Sequence, residues 1–269
     1  MNKLILFFGL TFLAFFAQAQ TNPIVEIDTN KGNMRFKLYN DTPKTRDAFL
    51  KLTRQGYYNG TLFYRVIENF LIQGGSKSSR NAPPGKRIGY GDPDYTVDDE
   101  ILPAHFHKKG ALCAPRQPDE KNPFKQSDIS QFYIVKGKVF TNGALDTLEM
   151  AVNRPIRNKI IQQVFTPVIK ARLKQLKAER KVKEFRQLAG QVKADIQSQM
   201  ELNPHTRHFT QAQRKAYTTV GGYPTLDGQY TIFGECIAGM DVIDKIAAMK
   251  TDANNRPLKD VKITVKIIR

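Results

Sequence analysis

The chain has 269 residues, 41% of them hydrophobic, and its 42 lysines and arginines outnumber its 25 acidic residues to give a net charge of +17. This length accommodates one large domain, or one domain with a sizeable insertion. Beyond the N-terminus no apolar run approaches the roughly 18 residues of a membrane helix, which excludes a conventional helical membrane protein.

The first 19 residues have the three parts of a secretory signal peptide. Lys3 supplies the positive start, Leu4 to Phe16 form an apolar core, and Ala17-Gln18-Ala19 has the small residues of a cleavage site. No cysteine follows directly to carry a lipid. We therefore expect an exported protein, periplasmic or secreted, whose folded domain covers residues 20–269.

The next segments predict short strands. Ile24 to Asp28 and Met34 to Tyr39 alternate in polarity and flank a turn at Asn30-Lys31-Gly32, which predicts a hairpin. Thr42 as N-cap and Pro43 at the first helical position then predict a helix that ends near Gly56. Further strands are predicted within Leu62 to Gly75 and at Gly110 to Ala114, Ser130 to Val135, Tyr230 to Ile237 and Val261 to Ile268, with a second helix at Met240 to Met249. The pattern predicts a mainly β fold, either barrel or sandwich.

A segment of different composition, from about residue 146 to 213, interrupts this pattern. Apolar residues at helical spacing predict amphipathic helices, in which Pro155, Pro167 and Pro204 start, kink or stop the helix. If Leu173 to Met200 formed one helix, it would extend about 40 Å and could project from the domain. The apolar positions are Ile161, Phe165, Ile169, Leu173 and Leu176, then Val182, Phe185, Ala189, Val192 and Ile196.

The same segment holds most of the positive charge, with 15 lysines and arginines against 4 acidic residues between Met150 and Ala216. Two interpretations stay open. The cations form a solvated helical face, or they attract acidic proteins or an anionic membrane surface. Nucleic acid is not expected as a partner, because export and the lack of aromatic residues between the cations argue against it.

Cysteine and histidine give weaker signals. Cys113 and Cys236 lie in predicted strands, and either a disulfide or two buried thiols in neighbouring strands would fit. None of the four histidines has cysteine or acidic companions at zinc-ligand spacing, so no metal is predicted. These histidines are His105, His107, His205 and His208.

The most informative stretch is Leu62 to Gly75. Because side chains alternate along a strand, Phe63 and Arg65 share one face, as do Leu71 and Gln73 in the second run. A guanidinium and an amide above an apolar floor suit an uncharged, carbonyl-rich ligand such as a peptide. In the alternative, Arg65 extends into water from an ordinary barrel strand.

Four ordered motifs resemble the cyclophilin-type peptidyl-prolyl cis-trans isomerases. The similarity covers about residues 23–140 and 217–269 and implies an eight-stranded antiparallel barrel capped by two helices, with the helical segment as a long insertion. The motifs are Arg65 with Phe70 and Gln73-Gly74-Gly75, then Gly110-Ala111-Leu112, Ser130-Gln131-Phe132-Tyr133-Ile134, and Leu226-Asp227-Gly228 with Phe233-Gly234-Glu235.

This resemblance implies roles for individual residues. Arg65 corresponds to the catalytic arginine and Gln73 to the glutamine that grips the peptide. The positions that line the proline pocket are Phe70, Leu71, Tyr133 and Leu226. Gln131 matches a second polar contact, and Arg116 falls where a backbone group holds the substrate carbonyl. The implied substrates are proline-containing polypeptides that are unfolded or flexible, and no cofactor is implied.

Some residues depart from the family pattern. Tyr64 replaces a common histidine and is expected to alter the pocket rim, and Pro115 removes a backbone donor beside the groove. Ile129 replaces a usual glycine, which would distort the strand entry if positive φ were needed there. Tyr133 keeps the ring of the usual phenylalanine, with a hydroxyl expected to face water. With these departures, a peptide-binding chaperone whose turnover is unimportant stays as the alternative function.

Overall fold

The computed structural model describes residues 21–269, so the predicted signal peptide lies outside the described residues. In this part of the chain, eight strands close into an antiparallel barrel and two more form a small separate sheet. The strands are β1 (Ile24–Thr29), β2 (Gly32–Leu38), β3 (Thr61–Ile67), β4 (Leu71–Gly74), β5 (Thr96–Val97), β6 (Ala111–Cys113), β7 (Ser127–Asp128), β8 (Phe132–Val135), β9 (Ile232–Ala238) and β10 (Lys262–Ile267). The order around the barrel is β1-β10-β3-β4-β8-β6-β9-β2, and β5 pairs with β7.

Six α-helices accompany the strands in the described residues. They are α1 (Pro43–Arg54), α2 (Asn142–Val164), α3 (Pro167–Ala178), α4 (Val182–Leu202), α5 (Gln211–Thr219) and α6 (Met240–Ala247). Helices α1 and α6 insert apolar side chains such as Phe49 and Ile243 into the core that fills the barrel. The eight-stranded antiparallel barrel capped by two helices is confirmed.

The start of α1 differs from the prediction in one respect. Thr42 is the N-cap residue, but its side chain makes no capping hydrogen bond. The Glu100 carboxylate accepts instead from the backbone N–H groups of Lys44 (2.9 Å) and Thr45 (2.8 Å). An acidic side chain at a helix N-terminus satisfies free donors and complements the helix dipole. A loop 55 residues away therefore caps this helix.

Strand alternation separates two apolar clusters. In β8, Phe132 and Ile134 belong to the barrel core, whereas Tyr133 and Val135 belong to a second cluster on the outer face. In β4 the residue that belongs to the core is Ile72. This outer cluster is the apolar floor beside which the predicted site residues lie.

The inserted helices form their own layer. Helix α4 packs against both α2 and α3, around a small core that includes Ile160, Val164 and Val192. Leu173 to Met200 is not one helix, because the chain turns between α3 and α4, where Arg180 has φ +55°. The 40 Å projection is therefore wrong, and the two helices fold back onto each other.

The helical region is also longer than predicted, from Asn142 to Thr219. Pro155 lies inside α2, Pro167 is the first residue of α3, and Pro204 follows the end of α4. Of the predicted apolar stripes Leu176 and Val192 are buried and Val182 is exposed, while the others are half-buried.

The two ends of the helical region meet in a narrow stem. The backbones of Lys138 and Gly222 exchange two hydrogen bonds, of 3.1 and 3.0 Å. Gly137 is so close to Gly222 that a Cβ there would lie 2.1 Å from the Gly222 carbonyl oxygen. On the other side, the Phe70 carbonyl accepts from the N–H groups of Lys136 (3.0 Å) and Gly137 (2.9 Å). The inserted helices thus leave the barrel directly beside Phe70.

Cys113 and Cys236 lie on the neighbouring strands β6 and β9 as free thiols, of which Cys113 is buried and Cys236 half-buried. No helix among residues 21–269 is long and apolar enough to cross a membrane.

We predict that Gly137→Ala destabilises the protein. The left-handed backbone at residue 137 alone costs a non-glycine residue roughly 1–2 kcal/mol, before the clash with Gly222 is added. For a domain of this size a loss of about 2 kcal/mol lowers Tm by roughly 4–8 °C, which a thermal melt will measure. Gly143→Ala is the control, because nothing lies within 4 Å of a Cβ at that position. Equal melting temperatures for Gly137→Ala and wild type would contradict the close approach in the stem.

Candidate active site

The strand pair β3–β4 brings Arg65 and Gln73 together. The two residues are directly opposite in the antiparallel register. Arg65 Nη1 donates to Gln73 Oε1 at 3.2 Å, and the guanidinium carbon lies 5.6 Å from the centroid of the Phe70 ring. Arg65 is half-buried against this ring, so it does not simply extend into water. The predicted grouping of a guanidinium and an amide on one face is present. Phe63 does not share the face of Arg65, as the strand alternation predicted, because the register shifts between residues 63 and 65 and Phe63 lies in the barrel core.

Gln131 continues this polar arrangement. Gln73 Nε2 donates to Gln131 Oε1 at 3.4 Å, and the Tyr64 hydroxyl donates to the same oxygen. Gln131 Nε2 in turn donates to Asp128 Oδ2 at 2.7 Å. The carboxylate of Asp128 therefore fixes which way the Gln131 amide faces.

Asp128 is a buried carboxyl that sequence reasoning did not assign. Burial raises its pKa above the ordinary value, although hydrogen bonds from Ser130 and Gln131 oppose that rise. Its Oδ1 accepts from the Ser130 backbone N–H (2.9 Å) and hydroxyl (2.5 Å). An aspartate three residues before Gln131, next to a serine, is the local signal that could have indicated this anchor.

An apolar cluster lies next to these polar groups. The four pocket residues predicted from the resemblance all belong to the outer apolar cluster, with Leu71 and Tyr133 buried and Phe70 and Leu226 half-buried. Tyr223, which the sequence did not indicate, packs against Phe70 with 4.3 Å between ring centroids and 39° between the ring planes. The structure thus brings the predicted proline-pocket residues into one cluster.

Arg116 is placed at the edge of this cluster. Its guanidinium lies 5.1 Å from the centroid of the Tyr230 ring, and its Nε donates to the Gln229 carbonyl oxygen at 2.8 Å. Nη1 pairs with Asp119. The side chain therefore ties together two loops and leaves any substrate contact at residue 116 to the backbone.

The structure shows the surroundings of three residues that depart from the family pattern. Tyr64 is buried under Gly89 and not at the rim, since a Cβ on Gly89 would lie 2.5 Å from the tyrosine ring. Ile129 has no positive φ and packs in the barrel core, where its carbonyl accepts from the Tyr58 hydroxyl at 2.6 Å. The Tyr133 hydroxyl does not face water, because it lies 3.0 Å from Nε2 of His107.

The family model of the cyclophilin type peptidyl-prolyl cis-trans isomerase/CLD matches residues 24–152 and 210–267, which is more than half of the chain. The chain belongs to the cyclophilin family. It is therefore a peptidyl-prolyl cis-trans isomerase, and its helical segment between residues 153 and 209 lies outside the matched part.

Relatives of this cyclophilin include a Staphylococcus saprophyticus protein that is named a peptidyl-prolyl cis-trans isomerase by inference. The two are 29% identical over 236 residues, which cover 87% of this chain and 86% of the relative. A similarly named Staphylococcus haemolyticus protein is 28% identical over 248 residues, 91% of each chain.

Solved structures show the same fold. A Cryptosporidium parvum cyclophilin type isomerase superimposes with a TM-score of 0.52 at 20% identity, covering 92% of this chain and 98% of its own. A second structure of that protein, in the presence of the dipeptide Ala-Pro, gives a TM-score of 0.50 and covers 91% of this chain and 99% of its own.

The cyclophilin site also includes residues that the motifs left unassigned. His107 was considered only as a metal ligand, yet it is buried between Tyr133 and Asp227. Within residues 21–269, no group of three or more histidine, cysteine or acidic side chains could hold a metal ion. A histidine just before the Gly110-Ala111-Leu112 motif was the only signal in the sequence for this contact.

We predict that Asp128→Ala lowers kcat/KM about tenfold, because Gln131 loses the charged acceptor that orients its amide, and such a bond contributes about 1.5–3 kcal/mol. A protease-coupled assay on a short proline peptide gives the rate. Asp98→Ala is the control, since Asp98 is an exposed carboxylate paired with Lys44. Adding Gln131→Ala to Asp128→Ala should cost little more. An unchanged kcat/KM in Asp128→Ala would show that the anchor is dispensable.

Proposed function

We propose that this isomerase accelerates rotation about X-Pro bonds in exported polypeptides that are unfolded or flexible, and so assists their folding. The observation that carries the proposal is the position of Arg65. Its guanidinium lies against the Phe70 ring and donates to the Gln73 amide oxygen. Phe70 also packs against the outer apolar cluster, so the cation lies beside that cluster. Within this proposal Arg65 and Gln73 are the catalytic residues.

Bond rotation sets the chemical requirement. Amide resonance gives the peptide bond a barrier of about 18–20 kcal/mol, and uncatalysed X-Pro isomerisation takes tens to hundreds of seconds. No covalent bond breaks. As the bond twists, the prolyl nitrogen loses resonance and regains a lone pair. A donor at that nitrogen stabilises the twisted state more than the planar state, and this difference accelerates the reaction.

Arg65 is the donor in this scheme, and its surroundings keep it available. Its one described side-chain hydrogen bond uses Nη1 and a neutral amide oxygen, which leaves further N–H groups for substrate. Among the described ion pairs none involves Arg65. A carboxylate partner would have competed with the weakly basic prolyl nitrogen for the guanidinium.

The remaining residues hold the two sides of the rotating bond. We assign the proline ring to the recess formed by Phe70, Leu71, Tyr133 and Leu226. Gln73 and Gln131 face the substrate backbone, with their amides oriented by one another. The backbone at Arg116 would hold a substrate carbonyl, and no described backbone hydrogen bond uses its N–H.

The proposed location is outside the cytoplasm, in the periplasm or secreted. The charged start, apolar core and small-residue cleavage site of residues 1–19 support it. Exported chains cross a membrane unfolded and contain X-Pro bonds that must reach the native isomer, so an isomerase there would meet its substrates during folding.

A second candidate function is a peptide-binding chaperone. Its support is the surface of the inserted helices, where Val168 and Leu202 are 77% and 79% exposed. The cations between residues 150 and 216 are also all exposed, except the half-buried Arg214. Such a surface would attract acidic, unfolded chains, or an anionic membrane, by charge and by contact with apolar groups.

We predict that Arg65→Ala lowers kcat/KM about 100-fold in the protease-coupled assay, comparable to the loss of one oxyanion-hole donor. The control is Arg35→Ala, which removes an exposed arginine paired with Glu26 on the neighbouring barrel surface. Refolding of a proline-limited test protein gives a second readout: an isomerase loses this assistance in Arg65→Ala, whereas a chaperone retains it. Equal kcat/KM values for Arg65→Ala and wild type would remove Arg65 from the mechanism.

We also predict that the full-length chain is cleaved after Ala19 during export. Mass spectrometry of protein from the extracytoplasmic fraction should give an N-terminus at Gln20. A variant without residues 2–19 should stay in the cytoplasm and keep its isomerase activity in vitro. Recovery of the full-length chain with Met1 intact, and only in the cytoplasm, would contradict export.

A further inference from the structure

We propose that helix α5, the last helix of the helical region, positions the proline pocket through a buried chain of side chains, Tyr217 to Asp227 to His107 to Tyr133. In this proposal Tyr217 and His107 are positioning residues, since neither would touch substrate. The inference rests on the proposed site, in which Tyr133 and Leu226 line the pocket.

The chain of contacts is continuous. The Tyr217 hydroxyl donates to Asp227 Oδ2 at 2.6 Å. Asp227 Oδ1 accepts from His107 at two points, the backbone N–H at 2.8 Å and ring Nδ1 at 3.0 Å. His107 Nε2 lies 3.0 Å from the Tyr133 hydroxyl oxygen. Three of the four side chains are almost completely buried, with His107 and Tyr217 at 0% exposure and Tyr133 at 2%.

The proton positions follow from the acceptor at one end. An ionised carboxylate only accepts, so His107 Nδ1 carries the hydrogen that is shared with Asp227. In a neutral imidazole Nε2 then has a free lone pair, and the Tyr133 hydroxyl donates to it. Burial raises the pKa of both Tyr133 and Tyr217, so each keeps the proton that it donates. Every member of the chain therefore has a partner of the right kind.

This arrangement fixes two walls of the pocket at once. Tyr133 is one wall, and its ring cannot tilt without breaking the bond to His107. Leu226 is another wall, and it directly precedes Asp227, which is held from both sides. A buried polar network that is fully satisfied favours one arrangement of its members, because each lost bond leaves an unpaired buried group.

Backbone contacts connect the same elements. The His107 carbonyl accepts from the Tyr223 N–H at 2.8 Å, and the Tyr223 ring packs against Phe70. The Tyr217 carbonyl accepts from the Phe140 N–H at 2.9 Å, at the other side of the stem. Rings of Phe106, Phe140 and Phe209 surround Tyr217 with centroid distances of 5.6 to 6.5 Å. Helix α5 is thus held firmly enough to act as a reference point for the pocket.

A double-mutant cycle tests the proposal. The variants are Tyr217→Phe, Tyr133→Phe and the double variant, each of which removes only a hydroxyl. We expect Tyr217→Phe to lower kcat/KM about three- to tenfold, mainly through a higher KM, because the pocket walls are less well placed for the proline ring. In the Tyr133→Phe background the same change should cost less than twofold. Tyr90→Phe is the control, since the Tyr90 side chain is 70% exposed and lies outside the proposed site.

A spectroscopic readout separates positioning from general stability. In protein with ¹⁵N-labelled histidine, His107 should show the tautomer with hydrogen on Nδ1. The Nε2 resonance should shift in Tyr133→Phe, and the Nδ1–H resonance should shift in Tyr217→Phe, while thermal melts confirm that all variants stay folded.

The outcomes are distinct for the two proposals. The positioning chain is wrong if the fold-loss of kcat/KM in the double variant equals the product of the two single fold-losses. It is also wrong if the His107 resonances respond to neither substitution. Both results leave the isomerase site intact. If Arg65→Ala retains full activity, the site assignment fails. In that case the same double-mutant cycle is measured on the Kd for the proline peptide, obtained by titration. Independent effects of the two substitutions on Kd would then contradict the positioning chain.

Discussion

The pairing of β3 with β4 is the constraint on which the site depends. Arg65 and Gln73 are opposite residues of an antiparallel pair, and such residues have Cβ atoms about 4.5–5.5 Å apart. A slip of β3 by one residue would turn Arg65 toward the barrel core, and the same slip of β4 would turn Gln73 toward it. Val66 and Ile72, which face that core, prevent the shift because it would expose them to water and bury a guanidinium. The packing of the barrel interior therefore fixes the polar geometry of its outer face.

The charge distribution in the site follows from a second feature. Between the cation of Arg65 and the buried carboxyl of Asp128 lie two neutral amides, Gln73 and Gln131. A direct ion pair between the two charged groups would have used the donors of Arg65. Because the two glutamines separate the charged groups, Asp128 orients the amides from one end. Arg65 keeps its remaining N–H donors for a ligand. Catalysis of a bond rotation needs a hydrogen-bond donor that is held in position and still has free N–H groups, since no proton or covalent bond has to move.

Local patterns in the sequence predicted the barrel strands and the two capping helices, because these depend on neighbours two to four residues apart. The same alternation placed Phe63 and Arg65 on one face, which the bulge between them prevents. Contacts between distant segments were not predictable in that way. Glu100 caps a helix that begins 57 residues earlier, and Asp227 binds a histidine 120 residues before it. The break at Arg180 also lacked a local signal, since neither glycine nor proline marks it. The motifs identified the pocket residues, but they could not show what holds them.

The inserted helices are connected to the site through their stem, whose residues lie within the part of the chain that the family model matches. This stem begins with two hydrogen bonds to the Phe70 carbonyl and ends with Tyr223 packed against the Phe70 ring. Phe70 is also the residue against which Arg65 lies. Any rearrangement of the helices that moved the stem would therefore displace the aromatic ring beneath the guanidinium. Since Gly137 and Gly222 leave no room for adjustment at the stem, the barrel and the helices constrain each other. The basic outer surface of the helices is exposed to solvent, while helix α5 and the stem are the parts that contact the proposed pocket.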